Sequence, residues 1–429
     1  MSTTSTTSEC LLDTLVTWHD VEGELQKSLK TNAKFGEKRK VASLGSMQGF
    51  MSRIALIEPD WSNRLPEEDL PDKFIVKISS ILGVKDLYDV LSFLKPEPET
   101  DGKENTEEEK AEEQKAVEED LKFCHNLEVK TYEIIARENN PNLRTIKIYA
   151  SRAFSETSPV GFLVCEYIPN VHSVPIYGTI PYEDIVSVID TIAAFSAMGE
   201  RMSEEEKKAM AGLKHVENSI KDMFPEDAAI RIRPLLLEAL GDAYTAQINK
   251  TIDIIDMICG RTGVLENYSR ISEFLGHSPV LMHSDLWSAN LLSVRDSKGS
   301  LDFKALIDFQ TTSLSSPGLD VASLMMTCLT AEDRRTHLND FLNSYYKSFK
   351  ANLNGAQVPY TLEQLHDSYD LYYIPTSVQI LPVVWALAKH DGGEDALNNA
   401  REKMIGVMEE LLVIQEKNLK KFAKFFLLE

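Results

Sequence analysis

The segment LMHSDLWSANLLSV (281–294) sets His283, Asp285 and Asn290 at H-x-D-x-x-x-x-N spacing. A second aspartate, Asp308, ends the apolar run FKALID (303–308). Between them Asp296-Ser297-Lys298-Gly299 is turn chemistry, so 290–294 and 303–307 are expected to pair as a hairpin. A hairpin brings its open ends together. One end carries Asp285 and Asn290 on a loop, and the other carries Asp308 at the end of a strand. Two carboxylates and an amide oxygen are hard donors. They suit magnesium, which keeps phosphates and water in its remaining positions, and they leave one aspartate to orient a nucleophile.

Further candidates lie upstream. Lys77 stands inside the apolar strand-like run FIVKIS, where an ammonium is costly unless it is paired or used. The loop Gly45-Ser46-Met47-Gln48-Gly49 lies between two expected strands. Gly45 and Gly49 would let main-chain amides approach a phosphate, or would make an ordinary hairpin turn. The loop is not G-x-G-x-x-G. Asp320 follows a Pro-Gly turn and opens an apolar helix, where it can act as an N-cap.

Several elements must hold these residues. Strands are expected at 40–44, 50–58, 72–79, 145–154 and 161–167, with helices at 11–30, 84–94 and 121–137. That describes a five-stranded antiparallel sheet with a helix inserted after its third strand. From 181 to 275, and again after 308, the pattern is helical. Residues 96–120 hold 12 acidic residues against three lysines and almost no large apolar side chain. A solvated insertion, disordered or weakly helical, is expected there. The divisions are a tail and helix at 1–30, a sheet lobe at 31–167, and a helical lobe at 168–429 holding the loop 281–310.

Composition sets outer limits. The 429 residues carry a net charge of -22, which disfavours a nucleic-acid or anionic-membrane surface. The five cysteines show no C-x-x-C spacing, so reduced thiols in a cytoplasmic protein are expected. Residues 372–389 are the most apolar stretch, but polar residues and two prolines interrupt it. A buried core helix is expected rather than a membrane span.

The wording HSDLW, the H-x-D-x-x-x-x-N spacing and Ile307-Asp308-Phe309-Gln310 together resemble the CHK kinase-like family. That family includes ecdysteroid kinase-like and nematode CHK-like proteins, and is related to choline kinases and aminoglycoside phosphotransferases. The resemblance covers most of 40–390. It implies an α+β, protein-kinase-like two-lobed fold with a small antiparallel-sheet N-lobe and a larger helical C-lobe. It also implies ATP and Mg2+ as cofactors.

Carried over residue by residue, Asp285 is the catalytic base, and Asn290 and Asp308 hold the metal. His283 ties the loop to the Asp308 segment, and Asp320 braces the catalytic loop. Lys77 contacts the nucleotide phosphates. Its partner is Glu128, four residues before the aromatic Tyr132, with Glu133 as the alternative. Glu166, Tyr167 and Ile168 form the hinge whose main chain reads the adenine edge.

The expected activity is phosphoryl transfer to a hydroxyl of a small molecule, whether a steroid, glycoside, choline-like or xenobiotic acceptor. The alternative is a catalytically weak kinase-like protein that binds nucleotide or ligand. A third reading is an interaction protein whose acidic segment recruits a basic partner. Protein kinase activity is disfavoured, because Ser284 stands where that class has arginine and no A-P-E follows Asp308.

Overall fold

The computed structural model describes residues 9–44, 52–80, 107–211, 226–260 and 262–426. They form two compact units. One comprises Met1–Val90, Pro96–Arg137 and Thr145–Asn170, and the other Leu91–Lys95, Glu138–Arg144 and Val171–Glu429. The boundary therefore falls at Asn170, slightly later than the expected 167. A short internal segment, Glu138–Arg144, belongs with the helices.

The first unit opens with α1, Trp18–Leu29. Leu12 and Asp13 take left-handed φ values of 48° and 60°, so the helix starts later than the apolar pattern suggests. A capping box starts it. Thr17 Oγ1 accepts the Asp20 N–H at 3.1 Å, and Asp20 Oδ2 accepts the Thr17 N–H at 2.9 Å. Besides a short two-stranded pair, Lys34–Phe35 with Trp61–Ser62, the described elements are β1 (Lys40–Ser43), β2 (Ser52–Glu58), β3 (Phe74–Ser79), α2 (Glu107–Glu138), β4 (Ile148–Arg152) and β5 (Phe162–Glu166). Strands β1 to β5 form one antiparallel sheet in the order β1-β2-β3-β5-β4. Side chains alternate across it. Phe74, Val76 and Ile78 enter a core with Trp18, Val21 and Leu25 of α1, which places Lys77 and Ser79 on the opposite face. The N-terminal helix is thus part of the sheet unit, not a separate tail.

Helix α2 decides between two expectations. Residues 107–120, expected to be disordered or weakly helical, are its opening turns. Glutamate, alanine, lysine and glutamine are all good helix formers, and acidic residues suit a helix N-terminus. Buried Leu121, Leu127, Val129 and Tyr132 anchor the helix further on, and growth from an anchored helix avoids a new nucleation. Residues 96–106, the expected helix at 84–94, and Gly45 and Gly49 lie outside the described residues.

The second unit contains β6 (Val171–His172), α3 (Tyr182–Met198), α4 (Ala228–Leu240), α5 (Thr245–Cys259), β7 (Val280–Met282), β8 (Leu291–Arg295), β9 (Leu301–Leu306), β10 (Ser313–Ser315), α6 (Gly318–Cys328), α7 (Ala331–Asn352), α8 (Leu362–Asp391) and α9 (Glu394–Lys421). The expected hairpin is β8–β9, with Leu291 opposite Leu306 and a register shift at Leu292/Ser293. Its turn closes with the Asp296 N–H on Ser300 O at 2.9 Å. Asp296 Oδ1 accepts the N–H groups of Lys298 and Ser300. Strand β6 flanks β8, and β7 pairs with β10.

Helix α8 carries Pro375 and Pro382 inside it. Ser377 Oγ donates to Tyr373 O at 2.6 Å, adding a side-chain bond across Pro375. By length and composition alone α8 could cross a membrane, but 83% of its apolar window is buried inside the protein. It is the core helix expected at 372–389, in a longer form. Beside it, Arg334 of α7 is 2% exposed and meets Glu410 of α9 through two bonds of 2.8 and 3.1 Å. None of the five cysteines, all among the described residues, forms a disulfide. The α+β class and the sheet-then-helix order implied by the kinase-like resemblance are those of the fold.

Candidate active site

In the helical unit the chain leaves β7 at Met282 and enters the H-x-D loop. His283 is fully buried between rings, with Phe309 at 5.0 Å and Phe195 at 6.4 Å. Its Nε2 lies 2.9 Å from Ile307 O, and a carbonyl can only accept, so Nε2 carries the proton. Nδ1 is then the acceptor facing the Asp285 N–H at 3.4 Å. The imidazole therefore links the loop to the residue preceding Asp308.

Asp320, in the first turn of α6, takes the loop's main chain. Its Oδ2 accepts the His283 N–H at 2.7 Å, and its Oδ1 accepts the Ser284 N–H at 2.8 Å. Burial pushes this carboxyl above its usual range, while the His283 ring and the two amides pull the other way. Ser284 has φ 68°, a left-handed conformation that costs a non-glycine residue energy and needs outside support. The two Asp320 bonds supply it. Gly318 sets where that helix starts. A Cβ there would lie 2.2 Å from Tyr369 N and 2.3 Å from Ser368 C, and its N–H donates to Ser368 Oγ at 2.8 Å. Only glycine allows so close an approach to α8.

Asn290 ends a short 3-10 turn, Ser288–Asn290. Its Nδ2 donates to Asp285 O at 2.8 Å and reaches Asp285 Oδ2 at 3.3 Å, while its main-chain O accepts the Ile307 N–H at 3.1 Å. Asp285 and Asn290 are thus joined directly. Asp308 follows β9 with φ 70°, a conformation aspartate tolerates better than most residues. The hairpin and the His283 bond bring its segment to the same loop.

With the NH2 group turned to Asp285, the amide oxygen is the Asn290 atom that can face a cation. Among the described residues no three His, Cys, Asp or Glu side chains gather into a metal cluster. One amide oxygen and one carboxylate fit magnesium shared with phosphates, and do not make an all-protein cage.

In the sheet unit Lys77 Nζ meets both Glu128 oxygens at 2.8 Å, with the two side chains 13% and 2% exposed. Glu133, the alternative partner, lies on the exposed side and pairs with Lys130 at 3.6 Å. At the end of β5, the Glu166 N–H donates to Lys147 O at 2.9 Å. Tyr167 and Ile168 follow the strand. Sequence reasoning missed His125, three residues before Glu128, which bonds Ser79 Oγ and Arg152 O at 2.8 Å each. It also missed the fit of Gly318 against α8.

Residues 4–419 match the DUF1679 family, whose description reads "Uncharacterized oxidoreductase dhs-27". The chain is 26% identical over 264 residues to the Caenorhabditis elegans "Uncharacterized kinase-like protein D1044.1", covering 58% of this chain. It is 23% identical over 295 residues to the C. elegans "Uncharacterized oxidoreductase dhs-27", covering 67% of this chain. The alignments span 66% and 35% of those two relatives, less than two thirds of each. Among solved structures the chain is similar to choline kinase from Cryptosporidium parvum Iowa II. There the identity is 12%, the TM-score 0.49, and the coverage 95% of this chain and 98% of that one. By the match that runs over nearly its whole length, this chain belongs to the DUF1679 family.

Proposed function

We propose that this chain is an ATP- and magnesium-dependent phosphotransferase that acts on a hydroxyl group of a small molecule. The observation that carries the reading is the H-x-D loop. There Asn290 is bonded to Asp285, and Asp320 and His283 fix the loop's main chain and tie it to the Asp308 segment. Phosphoryl transfer asks a protein mainly for positioning and charge neutralisation. In this reading Asp285 accepts or orients the acceptor's hydroxyl proton. Asn290 and Asp308 would hold magnesium, which when bound neutralises phosphate charge. Lys77, kept in place by Glu128, offers its ammonium to phosphate oxygens. Of Glu166 the N–H is engaged by Lys147, so an adenine edge would use the Glu166 carbonyl and the main chain of Tyr167 and Ile168. Gly45 and Gly49 remain the candidates for amide contacts to phosphate.

The kinase-like name of one relative agrees with this reading. The oxidoreductase name of the other belongs to a protein of which the match spans 35%. The 429 residues here contain no G-x-G-x-x-G dinucleotide fingerprint. The acceptor belongs to the hydroxyl-bearing small molecules, with no nucleic-acid or membrane partner. Five cysteines outside any disulfide suit a cytoplasmic location.

Calorimetric titration of ATP, ADP and adenosine, with magnesium and with chelator, tests the reading. Magnesium should tighten ATP binding, and Asp308→Asn should abolish that gain while adenosine binding survives. On an acceptor found by screening hydroxyl compounds, Asp285→Asn should cost turnover about 100-fold or more. An unaltered magnesium dependence in Asp308→Asn would move the metal site elsewhere and remove the main chemical support.

A further inference from the structure

His125 sits three residues before Glu128 on α2, so both project from one side of the helix. Ser79 sits two residues after Lys77 on β3, so both project from one face of the sheet. The Lys77–Glu128 ion pair and the Ser79–His125 hydrogen bond are therefore two adjacent rungs between the same strand and the same helix. A third attachment runs from the other ring nitrogen to Arg152 O on β4 at 2.8 Å. A carbonyl accepts only, so Nε2 donates to Arg152 and Nδ1 accepts the Ser79 hydroxyl.

The ring's surroundings are built around it. Phe154 packs edge-on at 5.3 Å, and a Cβ on Gly161 would come within 2.6 Å of His125 Cδ2. Arg152, whose carbonyl takes the ring, is itself held on α1 by Asp20 and by Glu24 at 3.1 Å. The charged groups near the ring are Lys77 on β3, Glu128 on α2 and Arg152 on β4. Burial pushes the imidazole down to about 4, with the Arg152 carbonyl opposing and the Lys77 charge assisting. At neutral pH the second rung therefore adds no charge beside the first.

We propose that His125 is a positioning residue that fixes the height and rotation of α2 over β3, so that Glu128 meets Lys77 with both carboxylate oxygens. Its consequence for nucleotide rests on the phosphotransferase reading; its geometric claim does not.

The test is acetylation of the full chain by limiting acetic anhydride near neutral pH, with each lysine followed by mass spectrometry. Lys403, a buried lysine of the other unit bonded to the carbonyls of Ile176 at 2.7 Å and Gly178 at 2.6 Å, is the internal reference. His125→Ala and Ser79→Ala should each raise the Lys77 rate relative to Lys403 by about fivefold or more, the effect of losing one hydrogen bond. Ser79→Ala removes a single hydroxyl and serves if His125→Ala does not fold. An unchanged ratio in the folded variants overturns the proposal. So does a rise of both lysines together, which would make His125 a general stabiliser. Failure of the unaltered chain to bind ATP would sink the phosphotransferase reading and leave the labelling outcome intact.

Discussion

Asp320 holds His283 by its main chain and not by its ring: the carboxylate takes the His283 N–H at 2.7 Å, and its second oxygen takes the next N–H along, at 2.8 Å. Both N–H groups at the left-handed turn of Ser284 are thus held by one buried side chain from α6, 36 residues further along the chain from Ser284.

Asp320→Asn should damage this arrangement despite its matching shape. Asparagine has one acceptor oxygen and one NH2 group, so one of the two loop amides loses its partner. A buried donor left unsatisfied costs about 1–3 kcal/mol. Urea denaturation should register that loss, and turnover should fall with it. A variant with wild-type stability would mean that the loop does not depend on Asp320.

Gly318→Ala is expected to act on the same loop from outside. The added methyl would meet main-chain atoms of Ser368 and Tyr369, which cannot rotate away as a side-chain tip can. Either α6 or α8 must shift, and overpacking of this kind costs about 1–3 kcal/mol. Thermal melting is the direct measurement. Gly23→Ala in α1, where a Cβ would meet nothing within 4 Å and the backbone is not left-handed, is the control without a clash.

Acid should weaken the sheet unit through His125. Its folded value of about 4 lies below the ordinary 6.5, so between these values the unfolded chain binds more protons. Stability is therefore fully present above about pH 6.5 and is lost as pH falls toward 4. From neutral pH to about pH 5 the loss attributable to this residue is about 2 kcal/mol. Urea midpoints at the two pH values, for the unaltered chain and for His125→Asn, isolate it. An equal acid sensitivity in the variant would assign the effect to other groups.

The Arg334–Glu410 fork gives a contrast in the helical unit. Glu410 also accepts the Tyr373 hydroxyl at 2.8 Å. Glu410→Gln removes the counter-charge of a buried guanidinium, and breaking such a pair costs about 3–5 kcal/mol. The double substitution Arg334→Met with Glu410→Leu should cost less than Glu410→Gln alone, because neither charge is then stranded. Comparing the melting temperatures of the two variants decides it.

What could be read in the residues followed how local each signal was. The β8–β9 hairpin rests on turn residues adjacent in the chain, and it was legible to within a residue or two. Lys77 stood out because an ammonium conflicts with an apolar strand, and the family pattern selected Glu128 over Glu133. The composition of the opening turns of α2 leaves disorder and helix both open, because it shows only that little surface there can be buried. The helix needs little burial there, since Leu121 and later residues anchor it. His125 carried no signal at all. A lone histidine in a helix gains meaning only when pairing of distant strands puts Ser79 and Arg152 on either side of its ring. Gly318 was visible as a turn residue, but the approach of α8 was not.

The segment Glu138–Arg144 belongs with the helical unit although sheet-unit residues flank it on both sides. Its bonds are to late partners: Asn140 and Asn142 to Asn352, Glu138 to Arg201, and Arg144 to Phe303 O. During synthesis every strand of the sheet is made before any of these partners exists. A nascent chain released after Asn170 would hold every strand of the sheet and still carry, between α2 and β4, a link whose anchors had not been made. The connection inside the first unit is thus completed piecemeal, and its last bonds require translation to pass residue 352.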